Sequence, residues 1–127
     1  MLTKALSCLG LIAVVVSLAS CGSTECNATR SLGAEPATTT VDHLAAAPGN
    51  QAQFTAKWVY SGNTSGCAFT QALPSVSWTT SDQVNTTVIN QTASASTVTC
   101  LNATAQPVTI TATEQGGTTA TATLTCR

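Results

Sequence analysis

The side chains able to do chemistry in this chain are few, and half of them carry sulfur. Cysteines stand at positions 8, 21, 26, 67, 100 and 126, with a single histidine, His43, and the carboxylates Glu25, Glu35, Asp42, Asp82 and Glu114. Thiols in this number serve as metal ligands, as redox groups or as cystines. Zinc draws its cysteines in close pairs; none here has CxxC spacing and only His43 is present to complete a set, so no metal is expected. Asp42 beside His43 has the residue types of an acid–base pair. A hydrolytic triad also needs a nucleophile on a sharp turn, and the chain has no G-x-S-x-G. Glycoside hydrolysis needs two carboxyl groups facing one cleft, and calcium needs clustered oxygens; the five carboxylates are scattered. The expectation is therefore no catalytic residue, no cofactor and no enzyme, with His43 a solvated strand residue and Asp82 a turn closer.

Two cysteines are spoken for by the N-terminus. Lys4 precedes an apolar run from Leu6 to Leu18, and the small residues Ala19 and Ser20 follow it. These are the three parts of an export signal. The run is shorter than the 18–20 or so apolar residues that a permanent span needs. Leu18-Ala19-Ser20-Cys21 resembles the lipobox of bacterial lipoproteins; a secretory signal cut without lipidation is its nearest rival. The resemblance implies a helical signal peptide over 1–20 and a mature chain that begins at Cys21, acylated (palmitate or a similar chain) on sulfur and on its amine. Two or more chains hold a protein stably on a bilayer, so the membrane becomes a partner through the lipid on Cys21. Gly22 follows, not Asp, which in such lipoproteins implies the outer membrane of the bacterial cell envelope.

What remains, residues 21–127, suits one domain with a modest core. Its cations, Arg30, Lys57 and Arg127, are outnumbered by five carboxylates. No basic patch exists, so nucleic acid is excluded as a partner. Thr occurs 24 times after position 20, and β-branched Thr favours pleated sheet. With Cys8 leaving in the signal and Cys21 carrying lipid, Cys26, Cys67, Cys100 and Cys126 are left. An even number in a small exported domain reads as two disulfides, with three connectivities open.

Residues 21–36 show no apolar period and read as a lipidated tether, with the domain over 37–127. From Thr38 the chain breaks into short alternating runs between turn residues. They lie over 38–46, 51–61, 75–80, 85–90, 96–102, 107–115 and 118–126. Phe54, Ala56, Trp58 and Tyr60 share one face of the second, Val76 and Trp78 one face of the third. In the fourth, either Thr86 and Val88 or Thr87 and Ile89 point inward. Val108, Ile110 and Ala112 oppose Thr109, Thr111 and Thr113, and Gly116-Gly117 marks a hairpin turn into Ala120, Ala122, Leu124 and Cys126. About seven strands with one polar face each predict an all-β, antiparallel two-sheet sandwich, with a small barrel as alternative.

Val76-Ser77-Trp78-Thr79-Thr80-Ser81-Asp82, Thr87-Val88, Val98-Thr99, Val108-Thr109-Ile110-Thr111-Ala112-Thr113 and Ala122-Thr123-Leu124-Thr125, in this order, resemble the bacterial immunoglobulin-like domains of group 2. The resemblance covers 75–126 well and 38–61 loosely; Ser94–Val98 replaces the family's Gly-x-Val before its fifth strand. It implies an immunoglobulin-like β-sandwich used for adhesion, carbohydrate contact or spacing. In an immunoglobulin-type order Cys100 and Cys126 fall on strands of opposite sheets near one end, which implies a Cys100–Cys126 bond across the core. Cys26 and Cys67 then meet at the other end as Cys26–Cys67. The alternative, Cys67–Cys100 with Cys26–Cys126, stays open. Under the first pairing Cys26 lies five residues after Cys21, a reach of at most about 18 Å, so the domain is expected on a short leash.

Aromatic rings on a sheet face stack on sugars. Trp78 sits where sandwiches hold a core tryptophan, and Trp58 shares a face with Phe54, so both are expected in the core. Tyr60, beside the Gly62–Gly66 loop, is expected to be exposed, and Tyr60 with Trp58 are the candidate ligand contacts. The Asn-x-Ser/Thr triplets at Asn27, Asn63, Asn85, Asn90 and Asn102 follow from composition. Two functions are expected from this sequence: a non-enzymatic, lipid-anchored structural or protein-contact module of the envelope, or a carbohydrate-binding surface lipoprotein that uses Tyr60 and the 62–74 loop.

Overall fold

A computed structural model describes residues 26–69, 72–89 and 91–127. The signal segment, Cys21 and Asn90 lie outside the described residues. Eight strands follow one another in the chain: β1 (Asn27–Glu35), β2 (Thr38–Val41), β3 (Gln51–Asn63), β4 (Val76–Thr80), β5 (Thr86–Ile89), β6 (Ala95–Cys100), β7 (Val108–Glu114) and β8 (Thr119–Cys126). No helix occurs among the described residues.

The strands form two four-stranded sheets, ordered β1-β3-β6-β5 and β2-β8-β7-β4. With β2 set aside, the remaining seven strands follow the order of an immunoglobulin-type sandwich, the first, second, fifth and fourth in one sheet and the third, sixth and seventh in the other. Here the short β2 adds a fourth strand to the second sheet. It runs parallel to β8, with Thr38 opposite Thr123 and Val41 opposite Cys126, while every other pairing is antiparallel. The antiparallel expectation therefore needs this one correction. β1 and β2 belong to different sheets, so after Pro36, which offers no N–H to a ladder, the chain crosses to β8.

The strand count differs from about seven because the tether does not extend to residue 36. Asn27–Glu35 is β1, paired residue by residue with β3 from Asn27 opposite Asn63 to Glu35 opposite Thr55. The segment lacks an apolar period for a physical reason. Only Leu32 and Ala34 face the core. The preceding half of β1 runs past the edge of the second sheet, where burial no longer demands alternation. β3 shows the same change along its length: Gln51–Thr55 pair with β6, whereas Thr55–Asn63 pair with β1. Beyond Ala56 the first sheet thus narrows to a two-stranded ribbon.

The core is built by the period-two alternation that the threonines frame. Ala52, Phe54, Ala56 and Val98 face Val76, Trp78, Ile110, Ala112, Ala122 and Leu124 between the sheets. In β5 it is Thr86 and Val88 that are buried, with Ile89 outside. Burying Thr86 and Ser96 requires partners. Thr86 Oγ1 donates to Asp82 O (2.5 Å) and contacts Thr80 Oγ1 (2.7 Å), and Ser96 Oγ donates to Ile89 O (2.5 Å). Trp78 stands beside Phe54, ring centroids 6.4 Å apart, and its Nε1 donates to Ala93 O at 2.8 Å. The Trp78 backbone N–H also donates to Gln91 O (2.8 Å), so the link between β5 and β6 shields the otherwise open edge of β4. The β7–β8 turn is a three-residue loop, Gln115–Gly117. Gly117 at φ 88° adopts the left-handed conformation that this turn requires.

Candidate functional site

The two disulfides sit at opposite ends of the sandwich. Cys100–Cys126 joins the end of β6 to the end of β8 across the core, Cα atoms 5.7 Å apart, both residues buried. Cys26–Cys67, Cα atoms 4.8 Å apart, ties the residue before β1 to the loop after β3. Gln51, where β3 begins, lies opposite Thr99, and Asn63, where it ends, lies opposite Asn27. The thirteen residues of β3 therefore separate the two cystines by roughly 40 Å along the strand.

At the Cys26 end, the ribbon carries Trp58 and Tyr60 on the face that Phe54 and Ala56 use deeper in. Trp58, opposite Leu32, still packs against the core, while Tyr60 lies further out along the ribbon. Residues 64–69 of the following loop turn back beside Tyr60. Asn63 Oδ1 accepts from Ser65 N (3.1 Å) and Thr64 O from Cys67 N (3.2 Å), turning the chain towards Cys67. Gly62, at φ 94°, lies so close to β1 that a Cβ there would meet Asn27 O at 2.7 Å. Phe69 then stacks on Tyr60, centroids 4.1 Å apart, and the Arg30 guanidinium lies over the Trp58 ring, 4.1 Å from its centroid. The result is a satellite aromatic cluster under a loop, stapled by a cystine.

The structure brings the two candidate contacts together but changes their character. Tyr60 is half-buried, with one ring face given to Phe69, and Trp58 is half-buried against the core. Its exposed groups are Arg30 and Phe69 (38% exposed), and Leu73 (64%) follows in the same loop; neither Phe69 nor Leu73 was singled out from sequence. A lone aromatic in a Gly- and Ser-rich loop was the available signal for Phe69. Arg30 could be placed only once β1 was known to pair with β3.

The opposite end is different. Leu44 (82% exposed), Val84 (78%) and Leu101 are apolar and open to solvent there. Leu101 N donates to Asn85 O (2.8 Å), next to Val84, and Leu44 follows β2 beside the end of β8. His43 belongs to this end: its backbone N–H and its Nδ1–H both donate to Arg127 O, at 3.0 and 2.7 Å. Asp42 turns away and accepts from Leu44 N (2.9 Å), so the two do not form an acid–base pair.

Asp82 closes the turn before β5. Its Oδ2 accepts from Asn85 Nδ2 (2.7 Å) and its Oδ1 from the Asn85 and Val84 backbone N–H groups (3.0 and 3.1 Å). The Asn85 amide first, then these N–H groups, hold its carboxyl below the ordinary aspartate range, against a smaller opposing effect of desolvation. A cleft of about 400 Å³ opens between the edges of β4 and β5, bordered by Thr80, Gln83, Thr86, Thr87 and Gln91. That lining offers hydrogen bonds but no group that titrates near neutrality. Among the described residues no three of His, Cys, Asp and Glu come together to hold a metal ion.

No protein-family model matches the chain, and no curated protein matches it.

Proposed function

We propose that this protein is a lipid-anchored, non-enzymatic domain of the bacterial envelope, which holds one end at the membrane and offers the other to a protein partner. The observation that carries the reading is the position of the Cys26–Cys67 bond. It fixes the chain to the ribbon end only five residues after Cys21, the residue that the lipobox-like Leu18-Ala19-Ser20-Cys21 marks for acylation. Those five steps reach at most about 18 Å. The leash is then shorter than the domain, and the Cys100–Cys126 end with Leu44, Val84 and Leu101 is turned outward. Exposed aliphatic groups at the outward end, Val84 and Leu101 among them close to one another, are the apolar surface that this orientation offers to a protein.

The carbohydrate reading asks for an open aromatic face. Phe69 occupies one face of Tyr60, and Arg30 lies over Trp58, which weighs against sugar stacking on either ring. The group 2 immunoglobulin-like resemblance is compatible with adhesion, carbohydrate contact and spacing alike, and does not separate the two readings.

Metabolic labelling with an alkyne fatty acid tests the anchor. The full chain is expected to take up label and sediment with membranes, and its mature N-terminal peptide to begin at Cys21 with acyl chains attached. Cys21→Ser is expected to lose the label. A mature N-terminus elsewhere, or a Cys21 peptide without fatty acid, overturns the proposal.

A further inference from the structure

From the aromatic corner we infer a second membrane contact: Trp58, Tyr60, Phe69, Leu73 and Arg30 seat the ribbon end in the headgroup layer of the same bilayer that holds the lipid. This inference rests on the anchoring of Cys21 and adds a protein surface to it. Three observations converge. First, the corner lies at the stapled end, within the short reach from Cys21 to Cys26, so an acylated Cys21 brings it to the membrane whether or not it binds there. Second, its composition is that of an interfacial belt: amphipathic Trp and Tyr rings, with aliphatic and aromatic groups outermost. Phe69 and Arg30 are exposed, as is Leu73 further along the same loop, and the Arg30 guanidinium, 4.1 Å over Trp58, offers donors suited to lipid phosphate. Third, the sandwich spends two strands on this surface. β1 and β3 stay paired as far as Asn27 and Asn63, beyond the last β6 pairing at Thr55, where they bury little in the main core, and the Cys26–Cys67 bond closes the end of that extension.

The contact is apolar and interfacial in kind. Near it Lys57 is paired to Glu35, which leaves Arg30 as the one cation of the corner, among the described residues, that the ribbon does not neutralise. Binding is therefore expected to vary little between neutral and anionic lipid, unlike a polybasic patch.

Tryptophan reporters test this on the full chain, expressed with its signal, purified with its lipid and placed in phosphatidylethanolamine–phosphatidylglycerol vesicles. Phe69→Trp and Leu73→Trp report the corner; Val84→Trp, at the far end, is the control, and all three sites are exposed. Nitroxide lipids labelled at headgroup depth quench the added emission. The mass of the N-terminal peptide from the same preparation records acylation. The corner reporters are expected to be quenched at least threefold more strongly than Val84→Trp, at anionic-lipid fractions of zero and about one quarter alike. Acylated protein with equal quenching at the two ends, or none at the corner, overturns the inference and leaves the anchor standing. Protein without acyl chains overturns the anchor and the inference together. A blue shift of the corner reporters on adding envelope glycan without lipid assigns the corner to sugar, and also overturns it.

Discussion

Cys100 and Cys126 lie on opposite sheets at the same end of the sandwich, Cα atoms 5.7 Å apart, and both side chains are shut away from solvent. The bond is a covalent strut between sheets that otherwise meet through side-chain packing and a few hydrogen bonds along the β4–β5 edge. It also closes a loop 26 residues long, which by the chain-entropy argument restricts the unfolded chain by about 3–4 kcal/mol. In a small domain with a core built largely of Ala and Val, that is a substantial part of the total.

Cys100→Ala with Cys126→Ala is therefore expected to lower unfolding free energy by about 3–4 kcal/mol. Urea titration followed by tryptophan emission measures it. A change below about 1 kcal/mol would mean that the bond's restriction of the unfolded chain is offset in the folded one.

The Cys26–Cys67 bond closes a longer loop, 41 residues, but staples a ribbon rather than the core. Its removal by Cys26→Ser with Cys67→Ser is expected to act most strongly at the ribbon end. Amide exchange at Ala28–Ser31 should accelerate by a larger factor than at Ile110–Ala112, in the middle of β7. Uniform acceleration of both regions would show that the ribbon and the sandwich open as one unit.

Trp78 is held by packing against Phe54 and by its Nε1 bond to Ala93 O. Trp78→Phe removes that donor from the link between β5 and β6 and leaves space beside the smaller ring. A loss of about 1–3 kcal/mol is expected, again by urea titration. Trp58→Phe, at a half-buried site, should cost less; a larger cost there would place more of the stability in the satellite cluster than its burial allows.

The sandwich was legible from residue 75 onward because burial on one face forces alternation: Val76 and Trp78, Val108, Ile110 and Ala112, Ala120, Ala122 and Leu124 all face inward as their spacing predicts. The two cystines followed once a strand order was assumed. β1 was not legible. Its inner positions pass from Ala28 and Arg30 to Leu32 and Ala34, and only the last two meet the second sheet, so half the strand carries no core signal. The corner at Tyr60 was half legible for the same reason. Alternation placed Trp58 and Tyr60 on one face, but the cover over that face comes from Phe69, in a loop whose path depends on the Cys26–Cys67 bond. The apolar groups of the far end were invisible, because Leu44, Val84 and Leu101 stand singly in the sequence and come to one end of the sandwich only through the pairing of distant strands.

Asp82 supplies the clearest pH dependence. Its carboxylate accepts from Asn85 Nδ2 and from the Asn85 and Val84 N–H groups, all of which favour the ionised form and lower its pKa from 3.8. A folded-state pKa below the unfolded one means that the unfolded chain binds the proton more readily. The stabilisation is therefore complete above the unfolded value and is lost as pH falls through the folded one. Asp82→Ala removes the carboxylate and with it this pH dependence. The difference in melting temperature between the unsubstituted protein and Asp82→Ala is expected to be constant from about pH 7 to pH 5 and to shrink below about pH 4. Thermal melts followed by circular dichroism at half-unit steps read it directly. A difference that grew on acidification would reverse the sign, and would mean that Asp82 is held more tightly as the neutral acid, donating to a backbone carbonyl, than as the carboxylate that caps this turn.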